Sequence, residues 1–250
     1  MLNIVVPMAG RGSRFSDAGY IDPKPLIDVN GKHMIEVVIN NLKPAVEHCF
    51  IFVCQEEHVR AYDLEKIFKK SCMNFKIVTI NCITDGAAVT VLKARKYIDN
   101  NQPLMIANSD QWVDVDINKY LTDMTNRNLT GSMLTMKAND SKWSYAKVDK
   151  YGMVSEVVEK VVISDEATVG IYNFAKGQDF CRFSDLMIEK NLRSNGEFYV
   201  APVYSFIAQE GHDVGIYNVG EEANGMYGLG IPADLELFMS SDVVTKATDF

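Results

Sequence analysis

Strand-like and helix-like segments alternate from the start of the chain to about residue 107, and this order restricts the possible folds more than any other feature. Asn3 to Met8 is apolar and β-branched enough for a buried strand, Met34 to Leu42 reads as a short helix stopped by Pro44, and Cys49 to Cys54 as a second buried strand. Glu56 to Lys70 carries Val59, Leu64, Ile67 and Phe68 on one helical side; Phe75 to Ile80 is a third strand, Ala87 to Tyr97 another helix, and LMIA after Pro103 a fourth strand. Such alternation predicts a mainly parallel sheet with right-handed crossovers and helices on both faces. In sheets of this kind ligands bind beyond the carboxyl ends of the strands, so the loops there are the expected place for chemistry.

From about Gly131 the text changes to GSMLTMK, YAKVDKYGMVSEVVEK and TVGIYNF, strand-like runs with one hairpin turn at Tyr151-Gly152, so the sheet is expected to become mixed. Helices are predicted at Gln178 to Lys190, Phe198 to Gln209 and Pro232 to Met239, with a strand GIYNV between the last two. There is no linker, low-complexity tract or internal repeat, and residues 1–250 are expected to form a single domain.

Composition narrows the partners. A net charge of −8 argues against a nucleic-acid partner, because backbone binding needs a basic face, whereas a small anion needs only a local cluster of Arg and Lys. No apolar run is long enough to span a bilayer, and MLNIVVPM lacks a basic leader and a cleavage site; it reads as a first strand, and a cytoplasmic protein is expected. The five cysteines are odd in number and contain no C-x-x-C, which suits reduced core thiols. Cys49 and Cys54, beside His48 and His58, do not make a zinc site, since alternation puts them on opposite faces of a strand.

The local basic cluster lies just past the first strand, in MAGRGSRF. Gly10 and Gly12 free the backbone there to point amide donors at phosphate oxygens, and Arg11 and Arg14 add positive charge. It is not a dinucleotide fingerprint, which would need a small residue where Phe15 stands and a helix opening at once; Gly19, Pro23 and Pro25 follow, and no helix is expected. Nor is it the P-loop of ATPases, whose Gly-Lys-Ser/Thr ending is missing. Lys24 sits between two prolines, and that rigidity implies that its direction matters.

Asn108-Ser109-Asp110 follows the fourth strand directly, so Asp110 is expected at the same sheet edge as the glycine turn, where one carboxylate facing bound phosphates can anchor Mg²⁺. Asp114-Val115-Asp116 is a tempting D-x-D metal string, but Asp116 has the position of a helix N-cap before INKYLTDM. CITDGAA, residues 82–88, leads from the third strand into a helix, and its small residues leave room for a flat base; Thr84 or Asp85 would look the same as a simple cap. Glu159-Lys160 ends a strand run and reads either as an exposed ion pair or as the source of a second, acceptor-side cation. Glu197 reads either as a first-turn helix acid or as a ligand. His33, His48, His58 and His212 form no nucleophile set with these residues, and an acceptor phosphate, already ionised near neutral pH, needs no general base.

Taken together, Gly10-x-Gly12-x-Arg14-Phe15, Pro23-Lys24-Pro25-Leu26, Asp85-Gly86-Ala87-Ala88, Ser109-Asp110, Glu159-Lys160 and Gly196-Glu197-Phe198-Tyr199 resemble the sugar-phosphate nucleotidylyltransferase family. Within it the chain looks most like small capsule-pathway cytidylyltransferases, such as those acting on phosphoglutamine. The resemblance implies a Rossmann-like three-layer α/β/α fold of GT-A type with a mainly parallel mixed sheet. It also implies an Mg²⁺-dependent reaction in which the phosphate of a small metabolite, phosphoglutamine or a sugar phosphate, attacks a nucleoside triphosphate, CTP by preference, and expels pyrophosphate.

By motif, Arg14, Lys24 and Asp110 would be catalytic, with Asp110 on the metal. Ala9, Gly10, Arg11, Gly12, Ser13, Asp85, Gly86, Ala87 and Ser109 would hold the nucleotide, and Glu159, Lys160 and Glu197 the acceptor. One departure stands out: many relatives carry a second metal Asp where this chain has Gly228, two residues before Gly230. Asp234 is the residue expected to replace it, unless it is only a first-turn acid after Pro232. Two other readings are a glycosyltransferase of the same fold using Asp114 and Asp116, and a non-catalytic nucleotide-binding module.

Overall fold

The computed structural model of the chain describes Met1–Phe250. Its first half runs β1 (Leu2–Pro7), α1 (Ser13–Asp17), the short hairpin β2 (Asp28–Val29) and β3 (Lys32–His33), α2 (Met34–Leu42), β4 (His48–Gln55), α3 (Glu56–Tyr62), α4 (Leu64–Ser71), β5 (Phe75–Ile80), α5 (Ala87–Leu92), α6 (Arg95–Ile98) and β6 (Leu104–Ala107). The second half runs β7 (Gln111–Val113), α7 (Ile117–Asn126), β8 (Gly131–Lys137), β9 (Ser144–Val148), β10 (Val154–Glu159), β11 (Glu166–Phe174), α8 (Gly177–Glu189), α9 (Val203–Gln209), β12 (Val214–Glu222), β13 (Gly225–Gly228), α10 (Pro232–Met239) and α11 (Val243–Thr248).

One sheet carries the order β5-β4-β1-β6-β11-β8-β12-β13-β7, with the β9–β10 hairpin attached to β11. The strands β5, β4, β1 and β6 are mutually parallel; β11 enters antiparallel to β6 and makes the sheet mixed, as expected. Both faces of β1, β4 and β6 are covered, which is why these three read as nearly continuous apolar runs, whereas the edge strand β5 is half exposed. Ile4, Val6 and Met8 face a layer containing α2, α4 and α7, while Val5 and Ala9 face a layer containing α5, α6, α8 and α9. Cys49 and Cys54 divide between the same two layers, so no zinc pair forms. A third cluster of Phe15, Trp112, Leu229 and Phe238 packs α1 and β7 onto the C-terminal helices and supports the glycine turn from below.

Four expectations are corrected. A one-turn helix, α1, does open straight after the glycines, because Gly12 takes a left-handed φ of 62°, and it ends at Ala18. The helix predicted over Glu56 to Lys70 is broken at Asp63, whose φ of 47° is a conformation Asp tolerates better than most residues. The helix predicted over Ala87 to Tyr97 breaks at Lys93-Ala94. The helix predicted from Phe198 starts only at Val203, since Phe198 is drawn into backbone bonds with the 85–88 loop: its N–H donates to Asp85 O at 2.8 Å, and its carbonyl accepts from Ala88 N at 3.0 Å.

Candidate functional site

The carboxyl ends of β1, β5 and β6 reach the same sheet edge, and there a cavity of about 540 Å³ opens. The glycine turn forms one wall through Ala9, Gly10 and Arg11. It is pinned by Gln55 at the end of β4, whose buried side-chain amide donates to Ala9 O at 2.7 Å. Gln55 was missed in the sequence, although its place at a strand's carboxyl end was a usable signal.

Lys24 and Asp110 line the same cavity, Lys24 directly beside that turn. Pro23 feeds a 3₁₀ turn over Lys24–Leu26, and the close approach of Lys24 Cβ to Gly12, where an added Cβ would stand 3.2 Å away, packs this turn against the glycine loop. Lys24 Nζ then donates to Asp110 Oδ2 at 2.7 Å, with both side chains 23% exposed. Ser109, itself buried, lines the same wall.

The loop after β5 supplies Thr84, Gly86 and Ala87. Gly86 has φ 113°, and an added Cβ would lie 2.5 Å from Phe198 O, so the loop needs glycine both for its backbone angle and for this approach. Thr84 does not cap the helix by its side chain; its hydroxyl bonds to Gly86 O. Glu197 and Tyr199 close the far wall. Glu197 belongs to a tight turn with Ser194, six residues before α9, so the first-turn reading of it fails.

Around Tyr199 the charges are coupled. Lys160, at a left-handed φ of 58°, donates from Nζ to the Tyr199 hydroxyl at 3.0 Å, and this bond holds the ammonium above its ordinary range. Burial pushes the Tyr199 hydroxyl up, against the pull of Lys160 and with the push of Glu197.

Four predicted site residues point elsewhere. Arg14 is exposed on α1 and does not line the cavity; the left-handed Gly12 turns it outward, toward the side where its charge acts on Asp234. Ser13, also exposed, stays off the wall. Asp85 is tied to Arg193 at 3.0 Å instead of facing the cavity. Glu159 is buried, at 8% exposure, and accepts from Ser144 Oγ; burial pushes its carboxyl up despite that bond and nearby Lys160. It is therefore not an exposed ion pair.

At the outer edge of the site, the turn Gly228–Gly230 lies between two carboxylates. A Cβ on Gly230 would stand 2.7 Å from Asp110 Oδ2, and one on Gly228 would stand 3.1 Å from Asp234 Oδ2. Burial raises the Asp234 carboxyl, with Lys142 and Arg14 opposing and Glu222 and Asp110 reinforcing. The rival D-x-D pair has structural duties: Asp116 Oδ1 accepts from Asn118 N at 2.9 Å as the cap of α7, and Asp114 pairs with Lys246.

A second cavity of about 520 Å³ adjoins the first, sharing Gly10 and Arg11 and adding His58, Asn81 and Cys82. His58 thus comes nearer the glycine turn than the sequence suggested. No helix of the chain is long and apolar enough to cross a membrane.

The fold is shared with known proteins. Residues 4–195 match the family described as Nucleotidyl transferase. The bifunctional protein GlmU of Methanococcus aeolicus is 25% identical over 94% of this chain, which spans about half of that relative's length, 53%. Among solved structures, the nucleoside-diphosphate-sugar pyrophosphorylase of Vibrio cholerae superposes with a TM-score of 0.79 at 24% identity, covering 95% of this chain and 100% of that one. The inositol-1-phosphate CTP transferase of T. maritima superposes with a TM-score of 0.74 at 16% identity, covering 98% and 96%.

Proposed function

The chain belongs to the nucleotidyl transferase family, and we propose that it transfers a nucleoside monophosphate, CMP from CTP first, to the phosphate of a small metabolite such as phosphoglutamine or a sugar phosphate, in capsule or polysaccharide precursor synthesis. The observation that carries this reading is the Lys24–Asp110 pair on the wall of one cavity that also exposes Gly10, Arg11, Glu197 and Tyr199. The CTP preference draws support from the resemblance of the motifs to cytidylyltransferases.

In the proposed reaction an acceptor phosphate oxygen bonds to the α-phosphorus while the bond from that phosphorus to the α,β-bridging oxygen breaks, and pyrophosphate leaves with the electron pair. The acceptor phosphate, with its second pKa of about 6, is largely a dianion at neutral pH and needs no base. Catalysis then reduces to alignment and charge stabilisation. Amides of the glycine turn and Arg11 would take the β- and γ-phosphates, Lys24 the reacting phosphate, and Thr84, Gly86 and Ala87 the nucleoside. Glu197, with Lys160 acting through and beside Tyr199, would orient the acceptor. Arg14 would take part only by turning in from α1.

The residues at the Gly228–Gly230 turn fit Mg²⁺, which favours one or two carboxylates together with phosphate oxygens: the missing side chains let the Asp110 and Asp234 carboxylates pack closely against the turn from either end. When bound, the ion would neutralise charge on the triphosphate. Asp110 would be its main protein ligand, and Asp234, carried by α10, would stand in for the missing acid at position 228.

The test is pyrophosphate release with each of the four triphosphates, Mg²⁺, and a panel holding phosphoglutamine and hexose 1-phosphates. CTP-dependent release with one acceptor is expected. Absence of release with every pair would refute the proposal, and release of a nucleoside diphosphate from a nucleotide sugar instead would favour the glycosyltransferase reading.

A further inference from the structure

The wall that would meet the acceptor and the wall that would meet the nucleoside come from distant parts of the chain, and a single side chain ties them together. Arg193 Nη2 donates to Asp85 Oδ2 at 3.0 Å, Nη1 to Gly196 O at 2.9 Å and Nε to Asn191 Oδ1 at 2.8 Å, while the guanidinium lies 4.1 Å from the centre of the Phe198 ring. Asp85 stands between Thr84 and Gly86, Gly196 precedes Glu197, and Phe198 stands between Glu197 and Tyr199, so three of the four contacts reach a residue next to the cavity wall. The main chain completes the joint through the Phe198 N–H to Asp85 O bond and the Ala88 N–H to Phe198 O bond. Arg193 itself lines neither cavity.

We propose that Arg193 is a positioning residue, which holds Glu197 and Tyr199 against the 84–88 loop so that acceptor and nucleotide meet in line; this rests on the nucleotidyl transfer reading above. Asp85 is exposed, so the ion pair adds little stability, and its contribution is directional. The guanidinium suits this because its planar fork serves several acceptors at fixed angles, which an ammonium on a flexible stem cannot do. Asn195 and Gly196, with φ of 49° and 82°, form a reversing turn whose carbonyl at Gly196 is one of the groups held.

The variants are Arg193→Met and Arg193→Lys, with Arg182→Met, a surface arginine paired to Glu210, as control. Arg193→Met is expected to lower kcat/KM for the acceptor by roughly 10- to 100-fold, the effect of an ångström-scale misplacement. Triphosphate affinity, read by calorimetry, is expected to stay within about twofold. Arg193→Lys recovers part of the loss, and Arg182→Met changes neither quantity. Equal losses in acceptor kinetics and triphosphate affinity, or unchanged acceptor kinetics, would overturn the proposal. A second arm needs no substrate: amide exchange at Ala88 and Phe198 should rise together in Arg193→Met, and unaltered exchange overturns the clamp. If the wild-type protein turns over no acceptor, the nucleotidyl transfer reading fails while the exchange arm still decides whether Arg193 joins the walls.

Discussion

Lys24 and Asp110 are 86 positions apart in the sequence, yet the ammonium of one rests 2.7 Å from the carboxylate oxygen Oδ2 of the other. An ammonium therefore already sits on the carboxylate that would hold a divalent ion. Lys24→Met is expected to bind Mn²⁺ more tightly than the wild type when no nucleotide is present, read by calorimetry, and still to lose turnover by about 10²- to 10³-fold. Asp110→Asn is expected to lose both. Unchanged Mn²⁺ affinity in Lys24→Met would show that the two cations do not compete.

Gly86→Ala meets two obstacles at once, a φ of 113° and a Cβ position 2.5 Å from Phe198 O. Backbone strain of this kind costs about 1–3 kcal/mol, and the nearby atoms are main chain that cannot rotate away. Urea denaturation should show a loss of at least that size, together with weakened triphosphate binding. A variant as stable as the wild type would mean that the loop relaxes away from Phe198.

Glu159 provides a pH signature. Burial holds its carboxyl above the ordinary value of 4.5, so the folded protein keeps this proton after the unfolded chain has released it. Below pH 4.5 the wild type and Glu159→Gln should be close in stability. As pH rises past that value the wild type should fall relative to the variant, and the difference should level off once the folded carboxyl has ionised. Denaturant midpoints between pH 4 and pH 8 measure this, and a gap that shrinks with rising pH would contradict it.

Of the five cysteines, only Cys82 is exposed. Burial pushes the thiols of Cys54, Cys72 and Cys181 up to about 12 and also raises Cys49, so all four are poor nucleophiles in the folded state. One thiol should react with a disulfide reagent in native buffer and five in denaturant. Because Cys82 lines the cavity that shares Gly10 and Arg11, a bound triphosphate should slow that reaction. Several fast thiols in the native protein would speak against the packing described.

The parts of the fold legible in the sequence were those fixed by burial on both faces. β1, β4 and β6 are buried and mostly apolar, β5 is an amphipathic edge strand, and the residues just past β1 and β6, Gly10, Arg11, Ser109 and Asp110, fall on one cavity by topology alone. β7 and β13 are too short for alternation to register, and they pair with each other from distant parts of the chain. Side-chain direction was less legible than position. Arg14 and Ser13 turn away because of the backbone angle at Gly12, Asp85 because Arg193 reaches it, and Glu159 because Ser144 does. Those causes lie outside the motifs, in a local φ or in a residue from another segment.

Position 230 offers a way to separate where a carboxylate points from whether it is there. The methyl of Gly230→Ala would compete for the volume now taken by Asp110 Oδ2, the same atom that accepts the Lys24 hydrogen bond, and the carboxylate would have to swing aside without being removed. A deletion of the acid asks only if negative charge is required at this edge of the sheet. The added methyl asks how much of its use depends on aim, and it does so from the neighbouring turn, leaving every ionisable group of the site in place.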